Sequence, residues 1–183
     1  MSSLDTRIGT RIRTLRGAAT LDALARQAGV SRAMLSRIER GESSPTAQLL
    51  ARLATGLGVS PATLFAERDG LAPLTRAARQ PRWTDPASGY VRRNVSPPGM
   101  GSSVDIVEIC FPPGARVGFD NRRDLGLDQH VWLLEGAMEI TQDDATHALA
   151  PGDCLHVRLD QPVEFHNPGA AAARYAVIIG ARA

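Results

Sequence analysis

The apolar residues of this chain change their spacing once, and that change is the strongest constraint on the fold. Across residues 4–65 they recur at every third or fourth position and only two prolines interrupt them, which predicts amphipathic helices. From residue 83 onward short runs alternate between apolar and polar side chains and are separated by Pro–Pro, Pro–Gly and Asn–Pro pairs, which predicts strands and turns. The sequence therefore predicts a helical domain at 1–66, a linker at 67–81 and an all-β domain at 82–183.

Composition narrows the class of protein. The 183 residues are 43% hydrophobic and 22% charged, which is ordinary for a globular chain, and no apolar run is long enough to span a bilayer. The first residues lack the basic and apolar segments of a signal peptide, so we expect a cytoplasmic protein without a membrane partner. The two cysteines, Cys110 and Cys154, suit neither a disulfide framework nor a zinc site, and we expect both to be buried thiols on strands.

Charge is distributed unevenly along the chain. Residues 1–70 carry ten Arg against six acidic side chains, whereas residues 71–183 carry eleven Arg against thirteen acidic side chains. A basic first third on a mildly acidic remainder indicates that the front of the chain meets a polyanion.

Capping and turn residues divide the first domain into five helices. Helices tend to begin after a residue whose side chain accepts a hydrogen bond from the first turn, and they tend to end at glycine. We expect the first helix to end near Gly17 and the second to run from a cap at Thr20 to a break at Gly29. The third is expected to run from a cap at Ser31 through Glu39 and to be stopped by Gly41. The fourth should begin at Pro45–Thr46 and stop near Gly58, and the fifth should run from Ser60–Pro61 to Phe65.

The second and third helices form the most informative pair. Two helices can cross steeply over a short turn only where small residues lie at the contact and glycine makes the turn. Ala25 supplies the small contact and Gly29 supplies the turn. The apolar residues of the third helix are Met34, Leu35 and Ile38, and the last two share a core with Val30.

Residues 7–66 resemble the λ-repressor-like, XRE-type helix-turn-helix family. The run Ser-Arg-Ile-Glu-Arg-Gly at 36–41 and the Pro-Thr that follows it are specific for this resemblance. It implies that the third helix enters the major groove of DNA and presents its N-terminal residues to base edges. Arg32 suits a guanine and Ala33 suits a thymine methyl group. The residues placed for base edges are Ser31, Arg32, Ala33, Ser36 and Arg37, and those placed for phosphates are Thr20, Gln27 and Arg40.

Each assignment on the third helix has a structural alternative. Arg32 and Arg37 could be solvated surface side chains, Ser31 could serve only as a helix cap, and Arg40 could pair with an acidic residue. Because one helix-turn-helix contacts few base pairs, we also expect a homodimer on a pseudo-palindromic operator.

The second domain is expected to be an antiparallel barrel of about eight to ten strands. Turns are expected at Gly136, Asp143–Asp144, Pro151–Gly152 and Pro168–Gly169. Residues 104–180 resemble the cupin family, in particular the small cupin sensor domain that often follows an XRE-type helix-turn-helix. The resemblance implies a double-stranded β-helix barrel.

The metal site of enzymatic cupins can be checked against the sequence. It takes two His and a Glu from a first motif and one His from a second. Here Gln129 occupies the Glu position, Val163 occupies the second-motif His position, and the His pair falls among residues 122–125, which are Arg, Arg, Asp and Leu. We therefore expect no metal and no cofactor, with a rearranged metal site as the alternative. Strand alternation places His130 and His166 outside the barrel.

A barrel without metal suits a small organic effector. The candidate pocket residues are Arg116, Arg123, Gln129, Val131 and Phe165, although an inward Arg could instead pair with Asp120 or Asp128. The sequence thus predicts a sequence-specific, DNA-binding transcriptional regulator under effector control. The alternative from another class is a dioxygenase- or isomerase-type cupin metalloenzyme fused to a DNA-binding module. The long barrel argues against a third option, an antitoxin-like protein.

Overall fold

The structure is a computed structural model, and it describes residues 3–65, 72–97, 100, 102–121 and 126–182. The chain divides into two compact units, Met1–Ala66 and Glu67–Ala183. None of the helices within these described ranges is both long and apolar enough to cross a membrane.

The N-terminal unit is built from five helices, as the capping pattern predicts. They are α1 (Ser3–Arg16), α2 (Leu21–Ala28), α3 (Arg32–Glu39), α4 (Ala47–Leu57) and α5 (Pro61–Phe65). The hydroxyls of Thr20, Ser31 and Thr46 accept hydrogen bonds from backbone N–H groups in the first turns of α2, α3 and α4. Gly29 and Gly58 end α2 and α4 in the left-handed conformation, where a side chain would be strained.

Helices α1 and α3 approach closely at Gly9. A Cβ atom at that position would stand 2.2 Å from the carbonyl oxygen of Ile38, so only glycine fits. Near the end of α1, Arg16 donates from Nε and Nη2 to the carboxylate of Glu39 at 2.7 and 3.0 Å. These contacts fix α3 against α1 and thereby determine which face of α3 meets solvent.

The C-terminal unit is an all-β structure with ten strands in its described part. They are β1 (Arg82–Thr84), β2 (Val91–Asn94), β3 (Asp105–Phe111), β4 (Arg116–Phe119), β5 (Leu127–Glu135), β6 (Met138–Gln142), β7 (Ala145–Leu149), β8 (Cys154–Arg158), β9 (Val163–His166) and β10 (Ala173–Ala181). Every pairing is antiparallel. Six strands form one sheet in the order β1-β2-β3-β10-β5-β8, and four form a second in the order β4-β9-β6-β7. This is the architecture that the cupin resemblance implies.

Aromatic side chains run in a continuous series through the interior of the C-terminal unit. Neighbouring rings along it are 5.6 to 6.2 Å apart between centroids, within the range of favourable ring contacts. The series consists of Trp83, Tyr90, Phe111, Tyr175, Phe165 and Phe119. It begins on the six-stranded sheet and crosses to the four-stranded one, so it joins the two sheets.

Part of the segment expected as a linker is attached to the β unit. A short 3-10 helix spans Ala77–Arg79. The amide of Gln80 donates to the carbonyl of Val95, the carbonyl of Pro81 accepts from the N–H of Asn94, and Arg93 donates to the Gln80 side chain at 2.6 Å. These contacts attach Gln80 and Pro81 to strand β2 and to Val95, which follows it.

The cysteine prediction is wrong about burial. Cys110 and Cys154 lie on strands β3 and β8, but both are exposed. On β3 the buried positions are Val107, Ile109 and Phe111, so strand alternation turns Cys110 outward. The turn predicted at Asp143–Asp144 does connect β6 to β7, with Asp143 at a φ of 53°.

Candidate functional sites

Helix α3 presents one buried face and one solvent face. Leu35 and Ile38 are 0% and 1% exposed, and they pack the helix onto its own unit. The opposite face carries the residues expected at base edges: Ser31, Arg32, Ala33 and Arg37 are exposed and Ser36 is half-buried. The fold thus leaves the expected contact residues accessible on one helix.

Two charged side chains of this solvent face, those of Arg32 and Arg40, differ in the strength of their interactions with acidic residues. Arg32 lies 3.9 Å from the carboxylate of Asp22, and both side chains are more than 60% exposed. An exposed pair of this kind contributes little, so Arg32 can exchange Asp22 for DNA at small cost. Arg40 is held more firmly, because Nε and Nη2 donate to the two carboxylate oxygens of Glu42 at 2.6 and 2.7 Å.

The Arg40 pair matches the acid-pairing alternative that the sequence left open. Hydrogen bonding to Arg40 lowers the pKa of Glu42. The third nitrogen of the guanidinium, Nη1, donates to the hydroxyl of Ser36. A phosphate contact by Arg40 therefore requires it to leave Glu42.

The remaining expected DNA contacts lie beside these residues. The hydroxyl of Thr20 accepts from the N–H of Ala23 at 3.1 Å, and Gln27 is exposed on α2. Met34, on the solvent side of α3, is 36% exposed, and it was not among the residues expected to contact DNA. Met34 is one residue from the buried Leu35 and therefore lies about 100° around the helix from it, and this spacing predicts its exposure.

The inner face of the barrel includes three of the five expected pocket residues. Gln129, Val131 and Phe165 are 8%, 0% and 4% exposed. Arg116 is a correction: it is exposed, and its Nη1 donates to Glu164 at 2.7 Å on the outer side of β4 and β9. The neighbouring Val117 takes the inner position, so alternation excludes Arg116 from the interior. Arg123 lies outside the described residues.

A charged residue that the sequence analysis missed lies in the interior. Arg92 on β2 is 8% exposed and is in register with Trp83 of β1 and Ile109 of β3. Its Nε donates to the side-chain oxygen of Asn94 at 3.2 Å. Only the register of β2 against β3 reveals which of the two adjacent arginines, Arg92 or Arg93, points inward.

Burial changes the acid–base properties around Arg92. Desolvation lowers the pKa of Arg92, and its electrostatic interactions with Tyr90, Asp105 and Tyr175 act in the opposite direction. Burial likewise raises the pKa of Tyr90 and of Tyr175, so both phenols are neutral at physiological pH. The interior therefore combines a guanidinium with neutral aromatic groups.

The residues at the cupin metal positions do not fit a divalent metal. Gln129 offers an amide and Val163 offers no donor atom, and residues 122–125 lie outside the described part. The rings of His130 and His156 lie across β5 and β8 on the outer face, tilted by 52° with their centroids 5.1 Å apart, and the Nδ1 of His166 lies 2.8 Å from Glu139 on the outer side of β9. Within the described ranges no cluster of three or more His, Cys, Asp or Glu side chains is arranged to hold a metal ion.

The outer face of the six-stranded sheet carries exposed apolar residues. Ile106 is 40% exposed and Trp132 is 48% exposed. Ile178 lies between their strands, in register with Ile106 and with His130. We refer to Ile106, Ile178, Trp132 and His130 as the outer patch.

Comparison with known proteins gives a separate match for each of the two units. A family description of a helix-turn-helix domain matches residues 7–66, and one of a cupin domain matches residues 107–179. The HTH-type transcriptional regulator SutR of Escherichia coli K12 is 26% identical over 160 residues, which cover 87% of this chain and 85% of SutR. A crystal structure of an HTH_3 family transcriptional regulator from Vibrio cholerae has a TM-score of 0.79 and 27% identity, with 98% of each chain covered.

A cupin enzyme shares the fold at lower similarity. The hydroxypropylphosphonic acid epoxidase from S. wedmorenis has a TM-score of 0.50 and 17% identity, covering 98% of this chain and 100% of that one. This likeness shows the fold alone. The helical unit, the cupin unit and the regulator relatives together define a two-domain DNA-binding transcriptional regulator. The chain therefore carries a helix-turn-helix domain in residues 7–66 and a cupin domain in residues 107–179, and it is similar to HTH-type transcriptional regulators over most of its length.

Proposed function

We propose that the barrel controls operator binding by taking up a small organic effector in its interior. The observation that carries the proposal is the composition of the inner face. Arg92 and Gln129 lie there among aromatic and aliphatic side chains, and a few convergent polar groups in an apolar surround are typical of small-molecule sites. The donor set at Gln129 and Val163 favours such a ligand over a metal.

The helical unit is proposed to read the operator through α3. Arg32 and Arg37 would contact base edges, since guanidinium groups at the start of a recognition helix bind guanine through two acceptors. Ser31, Ala33 and Ser36 would lie against the same groove, and Thr20, Gln27 and Arg40 would contact phosphates. The exposure of Arg32, Ala33 and Arg37 supports this assignment. The protein acts in the cytoplasm, where such a regulator meets its operator.

The regulator is proposed to be a homodimer that pairs through the outer patch. A two-fold operator needs a second recognition helix about 34 Å away, and a second copy of this chain supplies it. Ile106 and Trp132 expose apolar surface on a sheet face, and the same patch on two copies can pair about a two-fold axis. The occupant of the patch is therefore a second copy.

Control by the effector would arise from unequal affinity for two arrangements of the dimer. Such coupling is typically about 1–3 kcal/mol, which corresponds to roughly a 5- to 150-fold change in operator affinity. Pro73, Pro81 and the absence of a Gly/Ser run in residues 67–81 favour a stiff connection between the units. Reciprocity requires that operator DNA change effector affinity by the same factor.

The test uses the full chain, an operator selected from random DNA, and a metabolite library. Ligands that raise the melting temperature are titrated by calorimetry with and without operator. The proposal expects at least one ligand whose affinity differs at least fivefold between the two conditions. If every ligand binds with the same affinity in the presence and absence of operator, the barrel does not control operator binding through an effector. It would then serve only in dimerisation or in binding another partner.

The second candidate function is a cupin metalloenzyme fused to a DNA-binding module. The fold shared with the epoxidase is the observation that favours it. Metal analysis of protein purified from cells supplied with iron, manganese and zinc separates the two. The sensor proposal expects metal well below one ion per chain, and a stoichiometric ion retained after dialysis would support the enzyme.

A further inference from the structure

Arg92 is a charged side chain that lies buried in the described part of the C-terminal unit. It lies on β2 with Trp83 on one side and Ile109 on the other in the register of the sheet. Ile109 is in turn in register with Tyr175 of β10. The guanidinium is therefore set among apolar and aromatic side chains on the inner face.

The charge of Arg92 persists in this setting. Arginine stays protonated in proteins because its ordinary pKa lies far above neutrality, so the lowering caused by burial leaves a cation. A cation in an apolar interior is stabilised by any anion brought next to it, since the low dielectric strengthens their attraction. The planar guanidinium also matches a carboxylate through two parallel hydrogen bonds.

The surroundings of Arg92 set the charge and shape of a suitable ligand. Asp105, half-buried on the same inner side of β3, is the carboxylate whose charge acts on Arg92. One guanidinium and one carboxylate already interact here, and a dianion such as a phosphate monoester would add two more negative charges. This arrangement favours a ligand with a single negative charge over a dianion. The stacked rings of Tyr90 and Phe111, 5.6 Å apart, and the neighbouring Tyr175 offer flat apolar walls.

We propose that the barrel interior beside Arg92 binds an organic monoanion, a carboxylate on an apolar or aromatic body, and that Arg92 determines this preference. The inference rests on the proposed function, because it names the chemical class of the effector for the same interior. Asn94, which accepts from Nε of Arg92 at 3.2 Å, holds the guanidinium in position.

The test compares matched probes on the full chain. The pairs are acetate and acetamide, hexanoate and hexanamide, benzoate and benzamide, and indole-3-acetate and indole-3-acetamide, with phenyl phosphate as the dianion. Affinity is measured by calorimetry and by the rise in melting temperature. The expected result is that at least one carboxylate binds tenfold or more tightly than its amide and than phenyl phosphate. If every pair binds equally, or if neither member of any pair binds, the inference is overturned.

Two variants connect the preference to Arg92. Arg92→Gln is expected to remove the discrimination between carboxylate and amide, and Arg92→Lys to reduce it while keeping the charge. The control is Arg93→Gln, on the same strand but directed outward, where Arg93 donates to Glu108 at 2.6 and 3.2 Å. If Arg92→Gln does not fold, as judged by its circular dichroism, Arg92→Lys decides. An unchanged preference in the folded Arg92 variant, or its loss in Arg93→Gln, would overturn the assignment.

Operator affinity measured in the same samples separates this inference from the proposed function. A neutral molecule that shifts operator affinity, with no carboxylate preference at Arg92, supports effector control and overturns the monoanion inference. A carboxylate that binds through Arg92 without changing operator affinity supports the site and overturns effector control.

Discussion

Replacing Gly9 with alanine should move helix α1 away from helix α3, against which it packs. The new Cβ would stand 2.2 Å from the carbonyl oxygen of Ile38 and 3.0 Å from that of Glu39. Both neighbours are backbone atoms, so the clash can be relieved only by moving α1 away from α3 by roughly 1 Å, since apolar contacts need about 3.5 Å.

The expected cost follows from two opposing effects. Overpacking of a tight contact costs about 1–3 kcal/mol, occasionally more, and alanine recovers up to about 1 kcal/mol over glycine inside a helix. The movement also disturbs the mostly buried Arg16–Glu39 pair. We expect a net loss near 2 kcal/mol, which lowers the melting temperature of a unit of this size by about 8–16 °C.

The assay is thermal unfolding of the full chain followed by circular dichroism at 222 nm, where the helices of the N-terminal unit dominate. Gly56→Ala is the matched control, because it makes the same change inside helix α4. There the nearest atom to the new Cβ is the Leu24 Cδ1 at 3.1 Å, which can give way. A Gly9→Ala protein as stable as Gly56→Ala, or one that binds the operator like the wild type, would refute the reasoning.

Two further expectations concern the β unit. Trp132→Glu introduces a charge into the outer patch and should shift the protein from dimer to monomer in analytical ultracentrifugation. Arg116→Ala, on the other sheet, is the control and should leave the dimer intact. A Trp132→Glu protein that remains dimeric would show that the dimer interface does not include the outer patch. Burial alone would raise the pKa of Glu108, but its hydrogen bonds to Arg93 and Arg174 outweigh burial and lower the pKa. The ionised carboxylate therefore stabilises the fold at pH values above its unfolded pKa. This stabilisation is lost as the pH falls through the lower pKa of the folded state. Urea unfolding from pH 7 to pH 3 should show a shallower acid loss in Glu108→Gln, and an identical pH profile would contradict this.

The helical unit could be predicted closely because its signals are local. A cap such as Thr20 or Ser31 bonds to a backbone N–H three residues away, so a short stretch of sequence contains both partners. The left-handed turn at Gly29 is equally local. The exposure of Met34 is also consistent with helical spacing, once Leu35 and Ile38 define the buried face.

The fold class of the barrel was predictable from the sequence, but the residues that face its interior were not. Which residues face inward depends on the pairing of strands that are distant in the chain. Arg116, expected inside, is exposed and pairs with Glu164, 48 residues away in the chain. Cys110 was expected to be buried from residue preference, and strand alternation turned it outward. Arg92 and Arg93 are neighbours of the same type, and only their register against Ile109 and Glu108 distinguishes the interior charge from the surface ion pair.

The central claim, that α3 reads base sequence, is tested most directly by comparing operator and random DNA. Arg32→Ala and Arg37→Ala should each weaken binding to a selected operator by about 1–3 kcal/mol, roughly 5- to 150-fold, and should weaken binding to random duplex far less. Arg13→Ala, which removes an exposed arginine from α1, is the control and should lose little on either DNA. Equal losses on operator and random DNA would make Arg32 and Arg37 phosphate contacts and would contradict sequence readout by this helix.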